Sequence, residues 1–195
     1  LDNYILDYLK AAVKRAIRHS GVNEITVVGY CLGGTISAIL AAITDLPIKN
    51  LVLATIPIDF SMGIVPSKWL EGLQNGQLNI DRFADAYGVI PEDIMYAMFR
   101  GLSPIYISPM VNLITRAYDT DYVEKWRRMD KWTKDSASFS GAASKQLYND
   151  LYKDNKLLKG ELVIGGKRVD LSNINCPLFV ISTSRDTLVL EPQSL

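Results

Sequence analysis

Val27-Val28-Gly29-Tyr30-Cys31-Leu32-Gly33-Gly34-Thr35-Ile36 is the stretch whose reading decides the fold. Ile25 to Val28 reads as a buried strand, followed by a sharp turn and a helix running to about Ala42. The turn has the pattern G-x-nucleophile-x-G, with Cys31 at its centre. To project a nucleophile from the top of a sheet, the chain must reverse within a few residues, which forces the central residue to positive φ. Side chains two positions before and after would collide, so Gly29 and Gly33 are expected to relieve that crowding. Cys31 then sits just before a helix N-terminus, where the dipole and free N–H groups favour a thiolate. The N–H of Leu32 becomes a candidate oxyanion donor.

Working outward, 195 residues suffice for one domain with a real core, and 48% hydrophobic with 22% charged residues is ordinary for a globular chain. Lys plus Arg (21) balances Asp plus Glu (21), so no global field points to nucleic acid or an anionic membrane. Cys31 and Cys176 are too few for a disulfide scaffold and form no metal-ligand cluster, which suggests a reducing compartment and no metal site. No apolar run has the length of a membrane span, and no signal peptide is visible.

Residues 2 to 20 carry Ile5, Leu9, Val13, Ala16 and Ile17 at helical spacing, with Gly21 placed to end the helix. His19, the single histidine, falls among Lys14, Arg15 and Arg18 at the helix C-terminal end, where positive charge suits the dipole, so it reads as a solvated or capping residue. Asn50 to Ile56 is an apolar, β-branched run of strand length, so strand, helix and strand follow with short links and argue for a parallel sheet. From Ser61 to about Lys159 the patterns are helical without strands: Ile80, Phe83, Ala84 and Tyr87 on one face, then Ile94, Met95, Met98 and Phe99, then Tyr118 to Lys134 and Ser138 to Asn155. Lys125, Arg127, Arg128 and Lys131 form a basic, solvated helix face. Glu161 to Leu171 reads as a hairpin turning on Gly165-Gly166, and Leu178 to Ser182 as another buried strand. Cys176, just before a proline at that strand's start, reads as structural.

An α/β-hydrolase orders its triad as nucleophile, acid and base. Cys31 takes the first place, and Asp186, on the loop after the late strand, takes the second. No histidine follows Asp186, so the expectation is an internal segment of a larger catalytic domain whose base lies past Leu195. The fold class expected is α/β, a partial α/β-hydrolase fold: residues 1–60 the core with the elbow, 61–159 a large helical cap insertion, and 160–195 the return to the core.

Several later motifs narrow this. Pro57-Ile58-Asp59-Phe60, Met129-Asp130-Lys131-Trp132, Leu147-Tyr148-Asn149-Asp150-Leu151-Tyr152, Asn155 to Glu161 and Gly165 to Leu171, taken in this order with the elbow and the Asp186 loop, resemble the poly(3-hydroxyalkanoate) synthases, especially the shorter two-subunit types. The resemblance implies acyl transfer from 3-hydroxyacyl-coenzyme A to Cys31 and on to a growing polyester, with the coenzyme A thioester as substrate and no resident cofactor. It also implies a cap that excludes water, a homodimer, an accessory synthase subunit, and a cytoplasmic location at the polymer granule surface. Thr187 stands where that family typically has histidine beside the acid. Two other readings stay open. A dienelactone-hydrolase-like or thioesterase-like cysteine hydrolase shares the elbow, although the 155-residue step from Cys31 to Asp186 exceeds what a capless core needs. A non-catalytic homologue would keep the fold without the base.

Overall fold

The computed structural model describes residues 1–63, 67–102 and 107–194. Contacts divide the chain into two units, Leu1–Asp81 with Ala143–Leu195, and Arg82–Ala142.

The first unit is built on a parallel sheet, β1 (Ile25–Tyr30), β2 (Ile48–Ala54) and β7 (Leu178–Ile181), in the order β1-β2-β7 among the described residues. Helix α1 (Lys10–Ser20) continues from a π-helical segment, Asn3–Leu9, and ends at Gly21, whose φ of 68° lets its N–H reach the Ile17 carbonyl. Helix α2 (Leu32–Ile43) crosses the sheet and buries Ala38 against Leu51, Leu53 and Ile56, with Val27, Leu171 and Cys176 packed around them. This contact makes the elbow unit a rigid strand–turn–helix, because close-packed side chains leave the helix no room to shift.

The strands are less covered than their apolar runs suggest. Val28 and Tyr30 on β1 are 68% and 72% exposed, and Phe179 on β7 is 62% exposed. In the register Val28 faces Val52, which faces Phe179, so these side chains share one face of the sheet. Buried parallel strands need helices on both faces. Here α2 covers one face of β1, which is half-covered, and β7 has no buried residue, so neither is the fully buried strand expected.

The hairpin forms as its two glycines dictate. β5 (Val163–Ile164) pairs antiparallel with β6 (Lys167–Arg168) across Gly165 and Gly166, whose φ values of 55° and 76° suit the tight turn that matches strand twist. Leu162, Ile164 and Val169 anchor it in the core. The expected helix from Ser138 to Asn155 is instead a short strand, then α8 (Gly141–Gln146) and a π-helical segment, Leu147–Lys153. In the first unit that segment packs on α3 (Ser67–Gln74).

The second unit is helical: α4 (Ile80–Tyr87), which begins at the unit boundary, α5 (Glu92–Leu102), α6 (Ile107–Thr115) and α7 (Thr120–Lys134). It is not strand-free, contrary to the sequence reading. β3 (Val89–Ile90) pairs with β4 (Phe139–Ser140) beside a close approach of Gly141 to Gly88, whose carbonyl accepts the Gly141 N–H. A Cβ on Gly141 would lie 2.6 Å from that oxygen, so glycine is what lets the two segments meet. Tyr87 and Phe99, expected on apolar faces, are 56% and 58% exposed, and the side chain of Phe83 lies outside the described residues. Tyr118 precedes α7, which is capped by Asp119 accepting the Tyr122 N–H. Arg116 lies over the Tyr122 ring at 4.1 Å and pairs with Asp119. The basic face of α7 is exposed, as read. Among the described residues no helix is long and apolar enough to cross a membrane.

Exposed apolar faces and open strand edges on β1 and β7 template association with other chains. The 195-residue chain expressed alone is therefore expected to self-associate at micromolar concentration. Light scattering during a thermal scan checks this, and a monodisperse sample with a sharp reversible transition would contradict it.

Candidate active site

Cys31 joins β1 to α2 with φ 51° and ψ −131°, a strained backbone for any residue with a Cβ. Its N–H donates to the Ala54 carbonyl at 3.0 Å, and its own carbonyl accepts from Gly34 (2.9 Å) and Thr35 (3.2 Å). Thr35, fully buried, donates its hydroxyl to the Pro57 carbonyl at 2.7 Å and so ties the first turn of α2 to the loop after β2. The strained residue is thus held from both sides.

Of the three glycines, Gly29 and Gly34 carry the crowding. A Cβ on Gly29 would lie 2.4 Å from the Gly34 Cα, and one on Gly34 would lie 2.1 Å from the Ile56 side chain. Gly33, expected to be the second spacer, faces open space. The helical rotation explains the correction: the third residue after Cys31 turns back onto β1, while the second points away.

Half-buried Cys31 has its thiol pKa raised, first by burial. A hydrogen bond from the Leu32 N–H opposes this, and the negative charge of Asp186 reinforces it. The Leu32 N–H and the Asp186 charge thus act on the thiol in opposite directions. The thiolate expected from the helix N-terminus alone is outweighed, because desolvation and a like charge both favour the neutral thiol.

Asp186 follows β7 on an exposed turn and accepts the Leu188 N–H (2.8 Å) and Val189 N–H (3.0 Å) on Oδ1. One oxygen caps its own loop, and among the described residues none donates to Oδ2. His19 is exposed in the last turn of α1 and reads as the solvated residue the sequence suggests. Cys176, a free thiol, packs against the core below α2 and lines a groove of about 710 Å³ with Ile43, Asp45, Lys49 and Lys167. That groove lies at the starting ends of the strands, opposite Cys31. Among the described residues no cluster could hold a metal ion.

Tyr152 packs beneath the loop after β2. Its ring meets buried Phe60 edge-on at 5.0 Å and stacks on Tyr148 at 5.6 Å. Burial first, then Tyr148 and Cys31, push its phenol pKa up, so the phenol stays protonated. In the sequence it is marked by the i, i+4 spacing of Tyr148 and Tyr152 and by its place in the motif 147–152.

Two measurements test this geometry. Gly34→Ala should destabilise the chain by about 1–3 kcal/mol through overpacking, whereas Gly33→Ala should be neutral or stabilising by up to about 1 kcal/mol; urea unfolding gives both signs. Iodoacetamide labelling of Cys31 should titrate above the usual thiol range, and Asp186→Asn should lower that midpoint and speed labelling at pH 8. The raised thiol pKa also means its stability contribution is full below the ordinary thiol range and lost as pH climbs through the folded value.

A family model described as alpha/beta hydrolase fold matches residues 1–195. The poly(3-hydroxyalkanoate) polymerase subunit PhaC of Thiocystis violacea is 32% identical over 192 residues, covering 97% of this chain and 53% of that protein. Its counterpart from Synechocystis sp. is 33% identical over 199 residues, covering 100% of this chain and 53% of that protein. The Haloferax mediterranei subunit is 30% identical, covering 97% and 38%. The chain thus spans about half the length of the first two of these curated relatives and less of the third. A crystal structure of an alpha/beta hydrolase enzyme from a Medee basin deep-sea metagenome library aligns over 94% of this chain and 55% of that one, with 17% identity and a TM-score of 0.40. With its parallel sheet, cysteine elbow and late acid loop, this chain belongs to the alpha/beta hydrolase fold family.

Proposed function

We propose that this chain carries the nucleophile and acid of an acyltransferase that polymerises (R)-3-hydroxyacyl-coenzyme A into polyhydroxyalkanoate. The observation that carries the reading is Cys31 on its strained elbow, with the Leu32 N–H and the Asp186 charge both acting on its thiol. Similarity to polymerase subunits along nearly the whole chain supports the substrate class.

In the reading proposed, a base takes the Cys31 proton and the thiolate attacks the thioester carbonyl. The new C–S bond forms as the bond to coenzyme A breaks, and coenzyme A leaves as its thiol with that proton. The hydroxyl of another unit or of the chain end then loses its proton to the base and attacks the acyl-cysteine. An ester forms, and Cys31 departs as thiolate. Thioester exchange is nearly balanced, and sulfur is a good leaving group in the second step. Leu32 is proposed to stabilise the oxyanion in both steps through its N–H.

Asp186 would hold a histidine through Oδ2 and stabilise the imidazolium. His19 does not fit that role, so the base is proposed to come from outside these residues, and the segment alone should be inactive. The helical stretch 61–159 is proposed to exclude water, so that the acyl-enzyme meets alcohol. A homodimer, an accessory synthase subunit and residence at a granule surface complete the proposal.

Incubating the intact protein with 3-hydroxybutyryl-coenzyme A should release coenzyme A and add a ladder of hydroxyacyl units in the intact mass. Cys31→Ala should abolish both, and Asp186→Asn should slow release roughly 10²- to 10⁴-fold. Release with free hydroxyacid and no ladder would assign a cysteine hydrolase or thioesterase instead. No release, even with an accessory subunit, would make the chain a non-catalytic homologue.

A further inference from the structure

We propose that Gln193 is a positioning residue that locks the Asp186 loop onto the loop after β2 and so sets the approach of the acid to Cys31. The proposal rests on the reading of Cys31 as nucleophile and Asp186 as acid.

Gln193 is 3% exposed and lies in a short terminal helix, α9 (Glu191–Ser194). Its side-chain Nε2 donates to the Asp59 carbonyl at 2.8 Å and the Met62 carbonyl at 2.7 Å, while Oε1 accepts the Leu190 N–H at 2.8 Å. Both amide donors are used, each on a backbone carbonyl of the loop after β2. The main chain repeats the connection: the Gln193 carbonyl accepts from Ile58 (2.9 Å) and Asp59 (3.2 Å), and its N–H donates to Leu190 (2.9 Å). Ser194 adds a hydroxyl bond to the Ile56 carbonyl at 2.7 Å.

The loop that receives these bonds is the one that holds the elbow. Thr35, one turn into α2, bonds Pro57. Asn155, at φ 50°, accepts the Phe60 N–H and donates to the Asp59 carboxylate, and Phe60 carries Tyr152. On the other side Asp186 caps Leu188 and Val189, and the next residue, Leu190, is held by Gln193. Two hydrogen-bonded routes, one from Cys31 and one from Asp186, therefore end on residues 57–62. Gln193 closes the second.

Gly63 is shaped around this amide. At φ 103° it leaves open the space where a Cβ would sit 2.1 Å from the Gln193 Oε1. Glutamate in place of Gln193 would set a carboxylate against two carbonyl oxygens. Leucine would leave those carbonyls and the Leu190 N–H without their partner.

The test uses the intact protein, with 3-hydroxybutyryl-coenzyme A turnover and the pH profile of Cys31 labelling by iodoacetamide as readouts. Gln193→Leu should lower kcat about 10-fold or more with KM within about twofold, and should move the labelling midpoint in the direction Asp186→Asn moves it. Added to Asp186→Asn, it should change neither readout by more than about twofold, because a residue acting through Asp186 has nothing left to position. Gly63→Ala, which displaces the amide without removing it, is read in the same two backgrounds should Gln193→Leu fail to fold. Equal costs in both backgrounds would reduce Gln193 to a structural role and overturn the proposal alone. An Asp186→Asn variant with unchanged turnover and labelling would remove the acid assignment, and the proposal with it.

Discussion

The backbone-to-backbone approach in the elbow, where an added carbon on Gly29 would lie 2.4 Å from the Gly34 Cα, is the constraint on which the rest depends. It lets α2 start directly above the end of β1, which holds Cys31 at positive φ with its side chain off the end of the sheet. A backbone strained by about 1–3 kcal/mol persists only when its surroundings over-determine it. Here they do so through the Ala54 carbonyl, the Thr35–Pro57 bond and the packing of Ala38 on Leu51 and Leu53.

What the amino-acid sequence revealed in advance was whatever local chemistry encodes. The elbow was legible because its glycine spacing is a steric requirement, and the hairpin because two consecutive glycines supply both positive φ values. Helix α7 and its exposed basic face followed from period and charge. Cover over β1 and β7 was not legible, since an apolar strand looks the same whether one face or both is packed. Two-residue strands such as β3 have no period to read. Gly33 was chosen over Gly34 because motif spacing counts residues, whereas contact follows helical rotation.

The site divided along the same line. Cys31, Leu32 and Asp186 stand out in the sequence by order and spacing, and in the structure the Leu32 N–H and the Asp186 charge push the Cys31 thiol in opposite directions. The roles of Tyr152 and Gln193 do not stand out, because they rest on partners about 90 to 135 residues away in sequence: Phe60 for one, Asp59 and Met62 for the other. Nothing local in Glu191-Pro192-Gln193-Ser194 distinguishes a buried clamp from an ordinary helix start.

The electrostatics of the pair follow from the same geometry. Burial and the charge of Asp186 both oppose a bare Cys31 thiolate, and the Leu32 N–H only partly offsets them. Two negative charges in a half-dry site repel, so acid and nucleophile are antagonists while nothing stands between them. A cation placed between them reverses the sign of both interactions: each carboxylate–cation and thiolate–cation contact becomes attractive. The arrangement therefore favours the neutral thiol, and in the proposed mechanism a protonated base beside both groups would make the thiolate accessible. Charge separation then coincides with proton transfer, which is when a nucleophile is needed.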